Sequence, residues 1–432
     1  MVRLRQILHD LARGLMAVPL AFVVVGIVLA QVMTAIDAAL GDNALPQWLE
    51  TSVDGGRAIL AAIAGGLITS VTLLLSLVLV AVQLASSQFS PRTLRGWTGD
   101  RTQQVAIGLV LGTSVYCLLV LRETRALDDG VVVTPDVSVL LAVALGVLSL
   151  VAVLRSVDHL TSSLRIGSVA RSIAEDTVVL VRNRGEALKL ERPRLSVSSH
   201  SGPGDSDAIP GDAEPVVSDR PGWVQQIDED ALFDALPDGS TAHMATALGR
   251  YAMPQAPMVW VSPPPDDGSA AKIRASIALG EERTLQQDIG YGILQLTDIA
   301  LRALSPGTND PNTANDVIVH LGVILLEIWE NPEQDRVRSE NGKTLVRRDL
   351  RHGEFLRASF DPLRRYGAAD ADVVVSMVQT LLTLKSESQR RDLPGPIDPI
   401  DETIKAIRDE FLRTDPAPID ERKVLDILDR DR

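Results

Sequence analysis

Cysteine and aromatic residues are scarce in this sequence. Its 432 residues include a single cysteine, Cys117, and aromatic side chains make up only 3%. One cysteine cannot form an intrachain disulfide or a multi-cysteine metal site. Because Cys117 lies in an apolar run, we expect it to be a small buried hydrophobe. A hydrophobic fraction of 46% with so few aromatics favours aliphatic helices over a β-sandwich.

Basic tracts and the common catalytic motifs are also missing. The formal net charge is -14, which argues against nucleic acid as a partner, because phosphate binding needs clustered Lys and Arg. The sequence has no phosphate-binding Gly-Lys-Ser/Thr loop, nucleophile elbow or dinucleotide fingerprint. Its six histidines do not have the spacing of a metal site. We therefore predict a protein that is not an enzyme, with no cofactor and no bound metal.

Long apolar runs, by contrast, are abundant in the first part of the chain. Four of them lie near residues 15–36, 58–84, 105–121 and 137–154. About 20 helical residues cross a hydrocarbon core roughly 30 Å thick, and each run reaches that length or nearly so. The first run is longer than the core of a cleaved signal peptide. Residues 1–155 are thus predicted to form a four-span transmembrane domain in contact with the lipid bilayer.

The charges that flank these runs alternate in sign. Basic residues precede the first span, lie between the second and third, and follow the fourth: Arg3, Arg5, Arg13, Arg92, Arg95, Arg101, Arg155, Arg165 and Arg171. Acidic residues occupy the other two loops: Asp37, Asp42, Glu50, Asp54, Glu123, Asp128, Asp129 and Asp136. The positive-inside rule then predicts a multi-pass protein of the inner (plasma) membrane with both termini in the cytoplasm.

The second span, which we call α2, has an unusual polar stripe, named here the α2 stripe. At 100° per residue, its members fall within about 60° of one another on a helix. They are Gly65, Thr69, Thr72, Ser76, Gln83 and Ser87. Small and hydroxylated residues of this kind pack membrane helices closely together. They could instead line a pore in a homo-oligomer, with the acidic loops concentrating cations at its mouth. The sequence leaves both interpretations open.

The remainder of the chain has the composition of a water-soluble protein. Helical spacing of apolar residues predicts an amphipathic stalk helix over 156–190, and a Pro-, Gly- and Ser-rich composition predicts a flexible linker over 191–220. Short β-branched runs predict a small β-rich unit over 221–280, followed by a helical cytoplasmic domain over 281–432. The predicted fold class is a membrane α-helical domain with four transmembrane helices plus a cytoplasmic α+β domain.

A polar turn over residues 303–316 separates two apolar helical segments. As a turn, it would give Gly307 a positive φ and use Asn312 or Thr313 to cap the next helix. As a ligand site, its oxygen atoms could bind a hard cation, or the helix start could bind an anion with the help of Arg302. We would otherwise pair Arg302 with Asp298 on the same helix. The candidate residues are Asp298, Arg302, Ser305, Asn309, Asp310, Thr313 and Asp316.

Three segments carry a resemblance to a known family. They are "VQLASSQFSPRTLR" (82–95), "GWVQQID" (222–228) and "ERTLQQDIGYGILQLTDIALRALSPGTNDPNTA" (282–314). In this order they resemble the bacterial predicted membrane proteins known as domain of unknown function 2254. The resemblance implies an inner-membrane protein with four N-terminal spans and a cytoplasmic C-terminal domain, and it implies no activity. The sequence departs from the pattern at Asn312 and within 221–262.

Two functions follow as hypotheses. The first is a homo-oligomeric, channel-like or transport protein that conducts a small solute or ion along the α2 stripe under control of its cytoplasmic domain. The second is a membrane-anchored interaction or sensor protein, which binds a cytoplasmic protein partner or a small ligand at the 303–316 turn.

Overall fold

The computed structural model describes residues 17–40, 52–88, 101–126, 136–163, 166–191, 209–331, 337–393, 395 and 397–429. The chain divides into two compact units, Met1–Ser168 and Val169–Arg432. We refer to them as the membrane unit and the α+β unit. Several features used above lie outside the described residues: Arg3, Arg5, Arg13, Asp42, Glu50, Arg92, Arg95, Asp128, Asp129, Arg165 and positions 192–208 of the predicted linker.

The membrane unit contains the four predicted spans. Its described helices are α1 (Ala17–Leu40), α2 (Val53–Gln88), α3 (Arg101–Ala126) and α4 (Asp136–Ser163). All four are long and apolar enough to cross a membrane. The prediction of four apolar spans is therefore confirmed by length and composition. Each helix is longer than its apolar run, because polar residues at the ends extend the helical turns beyond it.

Helices α1 and α3 approach each other through glycines. Gly108 and Gly112 lie one turn apart on α3, and Gly26 faces them from α1. A Cβ at Gly112 would stand 2.6 Å from the Phe22 carbonyl oxygen, and a Cβ at Gly108 would stand 2.8 Å from the Phe22 ring. Small residues separated by three positions allow this close backbone approach in membranes, where dispersion contacts drive helix association.

Buried polar contacts join α3 and α1 to α4. Ser149 donates a hydrogen bond to Thr113 at 3.1 Å near the middle of the bundle, and Gln103 exchanges hydrogen bonds with Ser156 at one end. At the other end, the Asp37 carboxylate accepts hydrogen bonds from the Val137 and Ser138 amides at 3.1 Å. Asp37, assigned to a loop from the sequence, is instead a buried residue of α1 that caps the start of α4.

The α+β unit contains helices and two antiparallel-rich sheets within its described residues. The helices are α5 (Ile166–Glu191, of which the part from Val169 belongs to this unit), α6 (Glu229–Ala235), α7 (Asp267–Ala275), α8 (Ile289–Ala303), α9 (Pro311–Glu330), α10 (His352–Gly367), α11 (Ala371–Arg390), α12 (Ile397–Arg413) and α13 (Pro418–Asp429). The strands are β1 (Glu214–Val217), β2 (Gly222–Ile227), β3 (Thr241–Met244), β4 (Tyr251–Ala252), β5 (Pro257–Ser262), β6 (Ile277–Gly280), β7 (Val337–Glu340) and β8 (Lys343–Val346). The sheet orders are β1-β5-β3-β8-β7 and β4-β2-β6.

The β-rich part is larger than the sequence predicted. Strand β1 lies within the segment predicted as a linker, and its Val216 is buried against the sheet core. The β7–β8 hairpin lies within the segment predicted as helical, and β8 pairs in parallel with β3. Leu345 of β8 joins the same buried cluster as Val259 of β5. The segment around residue 340 is therefore part of the β core, although it lies within the range predicted as a helical cytoplasmic domain, 281–432.

Helix α5 covers most of the segment predicted as an amphipathic stalk helix, 156–190. Its buried face repeats every three or four residues and is formed by Ala170, Ala174, Thr177 and Val181. Thr177 lies against Gly292 of α8, where a Cβ would overlap the threonine hydroxyl. Arg182 and Glu327 of α9 form an ion pair at 2.8 Å. This face of α5 is thus packed within the α+β unit, because its apolar residues have partners distant in sequence.

Candidate functional site

The α2 stripe points away from the rest of the membrane unit. Helix α2 buries Leu60, Ala64, Leu67, Val71 and Leu74 against the neighbouring helices. At 100° per residue, this aliphatic face lies roughly opposite the stripe. Five members of the stripe are exposed: Gly65, Thr69, Thr72, Ser76 and Gln83. Ser87 belongs to α2, but its side chain lies outside the described residues. The stripe is therefore not used for packing within the described chain.

The hydroxyl groups of the stripe donate to their own helix. Thr69 donates to the Gly65 carbonyl at 3.0 Å, Thr72 to Ile68 at 3.0 Å and Ser76 to Thr72 at 2.9 Å. These bonds use the hydrogen of each hydroxyl and leave its oxygen lone pairs on the outer surface. The stripe therefore presents hydrogen-bond acceptors, and no charged residue lies among its members.

The 303–316 turn is organised by Asp310. Its side chain accepts hydrogen bonds from the Thr313 amide at 3.2 Å and the Thr313 hydroxyl at 2.6 Å, so Asp310 is the N-cap of α9. The prediction of Asn312 or Thr313 as the cap is wrong, because Pro311 occupies the first helical turn and moves the cap to the residue before it. The pKa of the Asp310 carboxyl is lowered, chiefly by the Thr313 hydroxyl.

Local hydrogen bonds also use the other polar groups at the start of the turn. The Ser305 hydroxyl donates to the Arg302 carbonyl at 2.7 Å, and the Ser305 carbonyl accepts from the Asn309 amide at 2.9 Å. Asn309 has a φ of 48°, whereas Gly307 has no positive φ, which corrects the prediction for that glycine. Asparagine tolerates the left-handed region because its side chain is short and polar. These observations favour the interpretation of 303–310 as a turn and cap.

The remaining candidates of the turn lie on the flanking helices. Asp298 and Arg302 belong to α8, each with interactions of its own, and their mutual pairing stays a prediction. Asp316 is exposed on α9. Among the described residues, no group of three or more His, Cys, Asp or Glu side chains is arranged to hold a metal ion. The described residues of the turn and its flanking helices therefore include no such metal-binding group.

A polar network that the sequence analysis missed connects β2 to the start of α8. Gln226 donates to Gln286 at 2.6 Å, Gln225 donates to the Glu282 carbonyl at 2.7 Å, and Gln287 accepts from the Ile227 amide at 2.9 Å. These bonds join the segments 222–228 and 282–291. Two of the three segments that carry the family resemblance are thus in direct contact.

The ion pair between half-buried Arg283 and buried Asp288 lies beside this network. Arg283 donates to Asp288 through Nε at 2.9 Å and Nη2 at 2.7 Å, and it also lies over the Tyr291 ring. Asp288 caps α8 by accepting from the Tyr291 amide at 3.0 Å. Burial raises the pKa of Asp288, although Arg283 opposes that shift. Gly249, with φ 69°, packs directly on the pair. The sequence signal that could have identified Asp288 as a cap is its position directly before an apolar helix.

Comparison with known proteins agrees with the resemblance found in these segments. Residues 12–383 match the family described as "Predicted membrane protein (DUF2254)". The chain belongs to this family. DUF2254 relatives include uncharacterized proteins of Mycobacterium tuberculosis and Mycobacterium bovis, each 28% identical over 388 residues, which is 88% of this chain and 73% of the relative. No solved structure matches the chain.

The described residues of the DUF2254 segments stabilise the fold, whereas the α2 stripe is exposed. The segments 222–228 and 282–291 form a partly buried joint between β2 and the start of α8, and Asp310 caps α9. The α2 stripe, in contrast, makes no side-chain contact with another described helix that would explain its polarity. It is the candidate functional surface of this DUF2254 protein.

Proposed function

We propose that this DUF2254 protein is a homo-oligomeric channel or transport protein of the bacterial inner membrane, with both termini in the cytoplasm. Subunits would meet so that their α2 stripes enclose a path for a small solute or ion, and the α+β unit would control it. The observation that carries the proposal is the outward orientation of the α2 stripe. Polar residues that face away from their own helix bundle are better suited to line a path between subunits than to face lipid.

The chemistry of the stripe favours cations or hydrogen-bond donors as the conducted species. The hydroxyls of Thr69, Thr72 and Ser76 have donated their hydrogens to backbone carbonyls, so their lone pairs would face the path. Oxygen acceptors can replace part of the hydration shell of a small cation. An anion would meet no donor from these three side chains. We therefore infer selectivity for cations over anions.

Replacing Thr72 and Ser76 with leucine tests this function. The double variant Thr72→Leu/Ser76→Leu should abolish the current or ion flux of the wild-type chain in reconstituted bilayers, because it removes acceptors and adds bulk to the stripe. Ser70→Leu is the matched control, since Ser70 donates to Gly66 in the same way but lies outside the stripe. Absence of current and flux with the wild-type chain would refute conduction.

The sensor hypothesis has less support. Two residues on which it depends, Asp310 and Ser305, already form the cap and turn hydrogen bonds of their own segment. A ligand at this turn would have to compete with those bonds, which already use the donors and acceptors it needs. We therefore do not propose the 303–316 turn as the functional site.

A further inference from the structure

Helix α9 is apolar on two opposite faces, but only one of them packs within the described chain. The opposite, outer face carries Val319 and Val323, which are 55% and 51% exposed, and half-buried Leu326. A helix that is hydrophobic all round is normally buried all round. The outer face of α9 is therefore a contact surface that no described residue covers. The packed face includes Ala314, Val317, Leu321, Ile324, Leu325 and Ile328.

The residues of this outer face are unfavourable for a helix that meets only water. Valine loses side-chain freedom against the preceding helical turn, and exposure leaves its apolar area in water. Ala, Lys and Glu are the stronger helix formers at surface positions where packing does not decide. Outward Val319 and Val323, one turn apart, thus indicate a packing partner outside the described chain.

The outer face has the spacing of a coiled-coil seam, and we call it the α9 seam. At 100° per residue, its members stay within about 40° of one line over about 27 Å of helix. Its apolar members lie in the middle, and polar residues lie at both ends. Such a seam is complementary to a helix with the same repeat. The members follow one another at intervals of four and three: Asn312, Asp316, Val319, Val323, Leu326 and Glu330.

We propose that the α9 seam binds the α9 seam of a second copy of this chain, antiparallel about a two-fold axis. A two-fold interface is self-complementary, so Val319 of each copy faces Val323 of the other. Asn312 then faces Glu330, whose carboxylate accepts a hydrogen bond from the asparagine amide. Parallel pairing would instead bring Asp316 against Asp316 and Glu330 against Glu330, which repel each other.

Charge complementarity supports a second copy as the occupant. Arg182 of α5 pairs with Glu327 of α9 at 2.8 Å, and 61% of the arginine side chain remains exposed. The antiparallel alignment sets Asp316 of the second copy at the level of Leu326, next to this ion pair. Arg182 then lies between the carboxylates of the two copies. Exposed ion pairs of this kind add little affinity, but they favour one alignment over others.

This inference rests on the proposed function, because it supplies the contact between α+β units in the proposed homo-oligomer. One helix seam buries less than a typical stable interface, which is about 800 Å² per partner. Pairing through the seam is therefore strongest where an assembly already holds two copies side by side at high effective concentration.

The test is cross-linking between full-length chains in membranes, with Cys117→Ser removing the native thiol. Two chains with different tags are co-expressed, one with Val319→Cys and the other with Val323→Cys. Both positions are exposed, so the substitutions leave the packed face of α9 intact. Oxidative cross-linking of the mixed pair should be several-fold faster than cross-linking of either chain with itself, because disulfides need closely aligned Cβ atoms. Ile419→Cys, 77% exposed on α13, measures random collision.

The outcomes separate seam pairing from conduction. Mixed cross-linking no faster than that of Ile419→Cys overturns the pairing, even if the wild type conducts. Faster self-linking than mixed linking means parallel contact and overturns the alignment. Cross-linking of Val319→Cys only to a different protein overturns the choice of a second copy. Mixed cross-linking without any current overturns only the proposed function.

A charge variant tests the alignment independently of the introduced thiols. Adding Asp316→Lys to both chains should slow the mixed cross-linking several-fold, because it places a lysine beside Arg182 of the other copy. Asp426→Lys, an exposed residue of α13, makes the same change in net charge outside the seam and should leave the rate unchanged. Equal rates for the two lysine variants would contradict the antiparallel pairing.

Discussion

At the scale of single residues, Asp310 makes stability depend on pH. The Thr313 hydroxyl lowers the pKa of the Asp310 carboxyl in the folded protein. The stability that Asp310 contributes to the fold is therefore complete above its unfolded pKa, about 3.9, and is lost as the pH falls through its folded pKa. Asp310→Ala should cost about 1 kcal/mol at neutral pH by removing the cap of α9, and should weaken the acid dependence. Thermal unfolding of the detergent-solubilised chain from pH 3 to 7 measures both.

Asp316→Ala is the control for this prediction. Asp316 is exposed on α9 and does not cap the helix, so its removal should change stability by about 0.5 kcal/mol or less. If both variants unfold alike at every pH, the cap does not contribute as the geometry indicates.

At the scale of helices, glycine determines how closely α1 approaches α3. Gly112→Val should destabilise the membrane unit by about 1–3 kcal/mol, because a Cβ there would stand 2.6 Å from the Phe22 carbonyl and the helices would have to separate. Gly66→Val is the matched control, since no atom lies within 4 Å of a Cβ at that position. Denaturant unfolding in mixed micelles, followed by circular dichroism, should show a lower midpoint for the first variant alone.

The helices and hairpins also show how much of the fold could be predicted from the sequence. Four spans could be predicted because apolar length alone determines whether a helix crosses a membrane. The β7–β8 hairpin had an available signal that was not used: Asn341-Gly342, with φ values of 52° and 77°, is the pair that two-residue turns require. The joint between Gln226 and Gln286 had no such signal, because contacts between residues 60 positions apart depend on the tertiary fold. The exposure of the α2 stripe could not be predicted either, since hydropathy does not identify which face a neighbour covers.

At the scale of the whole molecule, the proposed orientation can be tested separately from function. Arginines flank one set of helix ends and acidic residues the other, and cytoplasmic loops retain Lys and Arg during insertion. A tag fused after Arg432 should therefore be inaccessible in intact cells and accessible once the membrane is permeabilised. An even number of spans requires the same result for a tag before Met1, which serves as the internal control. Accessibility of the C-terminal tag alone in intact cells would mean an odd number of crossings. Accessibility of both tags would mean an inverted protein, with the α+β unit outside the cytoplasm.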